Sequence, residues 1–469
     1  MDSEIDQGAQ RDRSEEEHHM TQQVGNEPTP LTDVGNGERF AKQHGGQVKY
    51  IHTWKKWLVW NGRYWEFDVS GEVERLAKQT VRSVYMEASQ FSDSSEAKEV
   101  AKWAHHSQSK FRIAAMLDMA KSEQPIPLDY RTLDCYGWQL NCENGVIDLT
   151  TGDLCKHRPE DFITMSTGIE YPVGPIESPL WARFLNDAFE GNEELIGYVQ
   201  RLCGVALVGK VIEHILPMAI GVGCNGKSVF CETIRSLLGD YAMAAPQGLL
   251  MVKRNQAHST EVADLSRKRL VTLSETNDGS RLDEGLVKSL TGGDAIRARR
   301  MREDNWEFVP THTLILSTNH RPVVKGQDVG IWRRIRLIPF NAQIAAERQD
   351  PHLTEKLRAE WPAILLWMVA GCLDWQQNGL CEPDEVKLAT NEYKAEQDIL
   401  GSFITDCCLI GPSYRVKCST LYEVYRKWCL DSGETIQSNR KFKAGMVERE
   451  FECKKSGTNW FLGITVSET

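Results

Sequence analysis

Apolar and polar positions change their period several times along this chain, and each change marks an element. Over residues 53–68 the run Trp54, Trp57, Leu58, Trp60, Tyr64, Trp65 and Phe67 is interrupted by Asn61-Gly62. An N-G dipeptide inside an aromatic run predicts a β-hairpin, its rings packed as core. Helical spacing takes over in residues 71–89 (Val73, Leu76, Ala77, Val81) and 95–122 (Val100, Trp103, Ala104, Ile113, Ala114, Leu117). After Pro125-Ile126-Pro127, residues 138–140 and 145–149 read as short strands between Asn and Gly turns, and helix returns over 179–207. Residues 31–210 therefore read as one mixed α+β accessory domain.

From 215 to 340 short apolar strands (216–220, 269–273, 313–316, 335–340) alternate with helical stretches, which predicts an α/β sheet with helices packed on it, in a domain of residues 211–380. Residues 351–377 read as a mostly buried helical segment and 381–401 as a helical connector. In 402–469 a helix (419–431), a turn at Ser432-Gly433, a second helix (438–448) and a hairpin turning near Ser456-Gly457 predict a winged-helix-like domain.

Composition narrows the class. The chain has 469 residues, 41% hydrophobic and 26% charged, in the range of a globular protein of about three domains. Its formal net charge of -11 argues against bulk electrostatic coating of nucleic acid. That average is uneven, because residues 1–30 hold eight acids against Arg11 and Arg13 and no aromatic residue. They read as a disordered acidic tail. No apolar stretch reaches the roughly 20 residues of a membrane span, and the acidic N-terminus lacks a secretory pattern. A cytosolic location is expected. Thirteen cysteines without one C-x-x-C pair are expected to stay reduced, with no structural metal site.

The sharpest chemistry lies in Gly221-Val222-Gly223-Cys224-Asn225-Gly226-Lys227-Ser228, a G-x-x-x-x-G-K-S sequence after one predicted strand and before a helix that begins at Val229. Glycines there let backbone N–H groups turn onto phosphates, and a helix N-terminus adds positive potential. Lys227 is expected to reach the β/γ-phosphates of ATP, and the Ser228 hydroxyl to hold Mg²⁺. Arg269-Leu-Val-Thr-Leu-Ser-Glu275 reads as a strand ending in an acid, 48 residues after Lys227, placed to polarise a water. Thr313-Leu-Ile-Leu-Ser-Thr-Asn319 is a second such strand, ending in an amide suited to the γ-phosphate. Arg333 and Arg334 precede a further strand.

This ordered set (residues 221–228, Glu275, Ser317-Thr318-Asn319 and Trp332-Arg333-Arg334) resembles superfamily 3 helicases, specifically the helicase portion of phage and plasmid primases and the poxvirus primase-helicase. Upstream, Asp134-Cys-Tyr-Gly-Trp-Gln-Leu-Asn141 and Asn144-Gly-Val-Ile-Asp-Leu149 are similar to the domain that precedes the ATPase in that family. The resemblance implies an AAA+-like ATPase that forms a hexameric ring on single-stranded and forked DNA. It places ATP between subunits, with Arg334 as an arginine finger acting in trans and Arg333 as the fallback. It also makes residues 288–308 a hairpin that projects into the ring channel, with Lys288, Arg297, Arg299, Arg300 and Arg302 as DNA contacts. Arg440, Lys441, Lys443, Lys454 and Lys455 are further candidates in the last domain. Many family members carry two adjacent acids where Ser274-Glu275 stands, so a single carboxylate must serve catalysis, with Mg²⁺ held by Ser228, phosphates and water and Glu275 as a further candidate for its shell. About 30 polar residues before the match leave no room for a primase domain, so a separate primase or polymerase partner is expected. The expected function is a replicative DNA helicase of a phage, plasmid or mobile element. A DNA-binding ATPase that loads or assembles at an origin without unwinding is the alternative.

Overall fold

The structure is a computed structural model that describes residues 29–252, 259–275, 279–299, 305–326 and 329–467. The acidic tail before Thr29 lies outside them, as do Arg300 and Arg302. The chain divides into two compact units, one ending at Cys135 and taking back residues 157–164, the other built from 136–156 and everything from Met165 onward.

The first unit starts with helix α1 (Asp33–His44), whose Thr32 cap accepts from Gly35 N at 3.1 Å. Strands β1 (Val48–Ile51), β2 (Lys56–Trp60) and β3 (Trp65–Phe67) form an antiparallel sheet in that order. The predicted hairpin is β2–β3, turned by the Asn61 side chain, which accepts from Arg63 N and Tyr64 N at 3.0 and 2.9 Å. Trp65 is buried with Ile51, Leu58 and Leu133, and its indole donates to Pro159 O at 2.8 Å. Three helices complete the unit: α2 (Glu72–Ala88), α3 (Ser94–Ser107) and α4 (Lys110–Ala120).

The second unit opens with a small antiparallel sheet, β4 (Gln139–Asn141), β5 (Val146–Asp148) and β6 (Leu154–Cys155), then helices α5 (Pro179–Ala188) and α6 (Glu193–Val205). Its centre is a five-stranded parallel sheet built from β7 (Leu216–Ile220), β8 (Ala242–Ala244), β9 (Leu270–Glu275), β12 (Thr313–Thr318) and β13 (Ile335–Pro339). The strand order is β13-β7-β12-β9-β8. Between these strands run α7 (Lys227–Leu237), α8 (Ser259–Ala263), α9 (Glu284–Leu290), the hairpin strands β10 (Ile296–Ala298) and β11 (Trp306–Phe308), and α10 (Val329–Trp332). The central strands are buried on both faces, so they read as unbroken apolar runs.

Two findings differ from the expected domain plan. Residues 136–156 and 165–210 share their core with the parallel sheet: Leu140, Ile147, Trp181, Tyr198 and Leu202 pack with Phe230, Ile234 and Phe340 in one cluster. Arg269 at the foot of β9 ties them in, donating to Leu207 O and Gln139 O at 2.6 and 2.5 Å while its guanidinium lies 4.4 Å from the Tyr241 ring. After α11 (Leu353–Leu357) and the long apolar α12 (Trp361–Asn378), the segment expected as a connector is a packed layer. Its helix α13 (Asp384–Glu396) buries Tyr393, whose hydroxyl donates to Pro322 O, and its Thr390 Oγ1 accepts from Leu337 N in β13 at 3.0 Å.

The C-terminal part contains α14 (Ile399–Cys407), β14 (Cys408–Lys417), α15 (Cys418–Asp431), α16 (Asn439–Glu448), β15 (Cys453–Ser456) and β16 (Thr458–Val466). The strands form an antiparallel sheet, β14-β16-β15. Among the described residues no helix is long and apolar enough to cross a membrane.

Candidate active site

Register decides which residues meet. Thr318, the last residue of β12, pairs with Ile220 at the end of β7 on one side and with Glu275 at the end of β9 on the other. Because all three strands are parallel, their C-terminal ends lie in one row. The loop beginning at Gly221, the end of the Glu275 strand and Asn319 are thus brought to one edge of the sheet. In open α/β sheets that is the edge at which ligands bind.

The loop from Gly221 to Lys227 is shaped by contacts that no local pattern reveals. A Cβ on Gly221 would stand 2.2 Å from Phe340 O and 2.3 Å from Asn225 Nδ2, so no other residue fits. Gly226 has φ 87, and a Cβ there would press on the Phe184 ring at 2.9 Å. Cys224 also takes a positive φ, 49, and its carbonyl accepts from Ile344 N at 3.1 Å. Asn225 is buried and bridges the site, donating to Phe340 O at 3.0 Å and accepting from Lys227 Nζ at 3.0 Å. Residues 340–344 and α5 therefore mould the loop, a role the sequence motif alone did not reveal.

Lys227 is 5% exposed, and its ammonium donates to Gly221 O at 2.5 Å as well as to Asn225. Among the described residues it has no carboxylate partner, and desolvation lowers its pKa from the ordinary lysine value. A buried cation held by two neutral oxygens is a site of unmet positive potential. Val222, Gly223, Cys224 and Ser228 are exposed around it, and Val229 is half-buried behind them in the first turn of α7. The donors fit a polyphosphate: a Cβ-free cradle, a helix N-terminus, a buried ammonium and an exposed hydroxyl.

The two arginines are not part of this edge. Arg334 O accepts from Leu216 N at 2.7 Å, at the opposite end of β7 from the loop. Five strand residues separate them, about 16 Å. Arg334 is buried, donating from Nε to Thr291 Oγ1 at 3.0 Å and from Nη1 to Gly330 O at 2.6 Å, whereas Arg333 is exposed.

A family described as D5 N terminal like matches residues 37–190, and a family of unknown function, DUF5906, matches residues 219–334. L207/L206 of Acanthamoeba polyphaga mimivirus, which carries a helicase name, is 26% identical over 322 residues, covering 64% of this chain and 33% of the relative. C962R of African swine fever virus (Warthog isolate), which carries a primase name, is 24% identical over 327 residues, covering 64% and 34%. The two matches and these relatives support a likeness of this chain to D5-like primase-helicases. The chain spans about a third of the length of these relatives. Among solved structures, the apo C-terminal region of NrS-1 (305–718) is similar over 94% of this chain and 100% of its own, with a TM-score of 0.49 at 9% identity.

The residues expected to meet DNA fall on separate elements. Arg297 lies exposed on β10, where it pairs in register with Glu307 of β11, and Arg299 follows it, also exposed. Lys288 is half-buried on α9. On α16 Arg440 and Lys441 are exposed and Lys443 is half-buried, while Lys454 and Lys455 are exposed on β15.

Proposed function

We propose that this chain is an ATP-dependent replicative DNA helicase of a phage, plasmid or other mobile element, working as a homo-hexameric ring with an AAA+-like motor and a winged-helix-like C-terminal domain. One observation carries the reading: the parallel register that sets the loop of residues 221–228, the end of the Glu275 strand and Asn319 along one sheet edge.

ATP is the substrate of that edge. The backbone of Gly221, Gly223, Cys224, Asn225 and Gly226, with Val229 opening the helix behind, would cradle its phosphates. Lys227 would exchange its two neutral oxygens for phosphate oxygens, a stronger charge-assisted contact. The Ser228 hydroxyl, helped by Glu275, would hold Mg²⁺, which when bound neutralises charge developing on the β- and γ-phosphates. Glu275 takes the proton of the attacking water, and Asn319 orients that water against the γ-phosphate.

An arginine near the far end of β13 cannot serve its own subunit's edge, which favours a finger reaching into the neighbour. The burial of Arg334 moves that assignment to Arg333. Arg334, bound to Thr291 and Gly330, anchors the turn that presents it. Hydrolysis would then move the hairpin bearing Arg297 and Arg299 along a DNA strand by phosphate contacts.

The test is ATP hydrolysis by purified protein with and without single-stranded DNA. Hydrolysis stimulated by the strand and abolished in Lys227→Ala is expected. Equal hydrolysis by both proteins would remove the site from the chemistry.

A further inference from the structure

The C-terminal sheet has two unlike faces. Its inner face carries Val416 and Phe461, which pair in register and are buried against Leu421, Tyr425, Phe442 and Met446 of α15 and α16. Residues directly opposite in register share a face, and those beside each other along a strand do not. Lys417 pairs with Trp460, which pairs with Lys454, so these three lie together on the other face. Arg415, two residues before Lys417, joins them. The three basic residues are exposed and Trp460 is half-buried. The Arg415 guanidinium and the Lys417 ammonium stand 5.2 and 5.8 Å from the Trp460 ring.

This face opposes the one covered by the helix that bears Arg440 and Lys441, so the C-terminal part has two basic surfaces. Over residues 415–455 ten basic residues stand against six acids in a chain that is acidic overall. Lys454 is partly neutralised by Glu452 at 2.9 Å, whereas Arg415 and Lys417 have no carboxylate partner among the described residues. Cation–π contacts hold both heads against the indole and so reduce the entropy lost when they bind an anion.

We propose that the open face of this sheet, centred on Trp460 with Arg415 and Lys417, binds single-stranded DNA separately from the α16 surface. An aromatic ring among ordered cations suits a strand whose bases are unstacked. A duplex hides its base faces and offers only phosphates. The choice of DNA rests on the helicase reading, but the binding does not require nucleotide hydrolysis.

The experiment is fluorescence anisotropy of the full chain without nucleotide, using a labelled oligo-dT strand and a blunt duplex. Trp460→Ala should weaken strand binding about tenfold, and Trp460→Phe should restore most of it. Arg415→Gln with Lys417→Gln, two exposed positions, should weaken it as well and lower the salt slope by about 1.4, the value for two phosphate contacts. Duplex affinity should hold in all variants. Unchanged strand affinity in both the Trp460→Ala and the double variant overturns the proposal. So does an equal loss on strand and duplex, which would make the face a duplex-phosphate surface. A protein that fails to hydrolyse ATP yet shows these losses would sink the helicase reading and leave this inference standing.

Discussion

Burial leaves the Lys227 ammonium with two neutral acceptors and no anion among the described residues, an arrangement that a phosphate would complete. Replacing it with Ala should lower kcat for ATP by at least about a hundredfold, the loss typical of one preorganised charge contact. Arg333→Ala should cost about a thousandfold with nucleotide affinity retained, as removal of a finger does. Arg334→Ala should instead lower the melting temperature, because it leaves Thr291 and Gly330 without their buried donor. His312 offers a separate residue-scale test. It is 3% exposed where β12 begins, and burial brings its pKa down to about 4 against the opposing effect of a hydrogen bond with the Leu265 backbone. Its folded pKa lies below its unfolded one, so the unfolded chain takes up the proton first as pH falls. Stability is therefore lost from about pH 6.5 down toward 4. Urea unfolding should show about 2 kcal/mol lost between pH 7 and 5 that is absent in His312→Phe. The loop of residues 221–228 stood out in the sequence because its motif is contiguous. The Asn225 bridge to Phe340 did not, since its partner is 115 residues away.

Elements were legible where one period ran uninterrupted, as in β7, whose observed bounds coincide with the expected strand. They were missed where local geometry broke the period. Strand β14 was not anticipated because its register shifts between Ile410 and Arg415, so that Gly411-Pro412-Ser413-Tyr414 reads as loop. The expected helix over 179–207 is two helices because Glu190 and Gly191 both take positive φ, 53 and 75. Helix α13 looked like a connector since polar residues dominate it, and only Tyr393 and Val386 are buried. The element-scale prediction concerns Arg269, through which β4 and the end of α6 are fixed to the foot of β9. Arg269→Met removes both donors while keeping much of the side-chain volume. A loss of about 3 kcal/mol in unfolding free energy is expected from the stranded carbonyls of Leu207 and Gln139. A change under 0.5 kcal/mol would show that these carbonyls are satisfied without it.

On the scale of the whole molecule, the net charge of -11 hides a division of labour. Basic residues collect on the β10–β11 hairpin, on α16 and on the open C-terminal sheet face, while the acidic excess lies elsewhere. A ring that must slide along DNA needs charge where the strand passes and no general basic coat. If the finger works across subunits, mixing Lys227→Ala with Arg333→Ala protein should recover ATP hydrolysis, because some interfaces then join an intact loop to an intact arginine. No recovery at any mixing ratio would place the arginine outside the chemistry. The central claim is that hydrolysis at the edge shared by β7, β12 and β9 drives strand separation. The most direct measurement is ATP-dependent unwinding of a forked duplex by the intact chain beside Glu275→Gln. The wild-type chain should separate the fork, and Glu275→Gln should bind ATP and DNA yet leave the fork closed. Strand separation by Glu275→Gln at the wild-type rate, or DNA-stimulated hydrolysis by the wild-type chain with no unwinding, would contradict it.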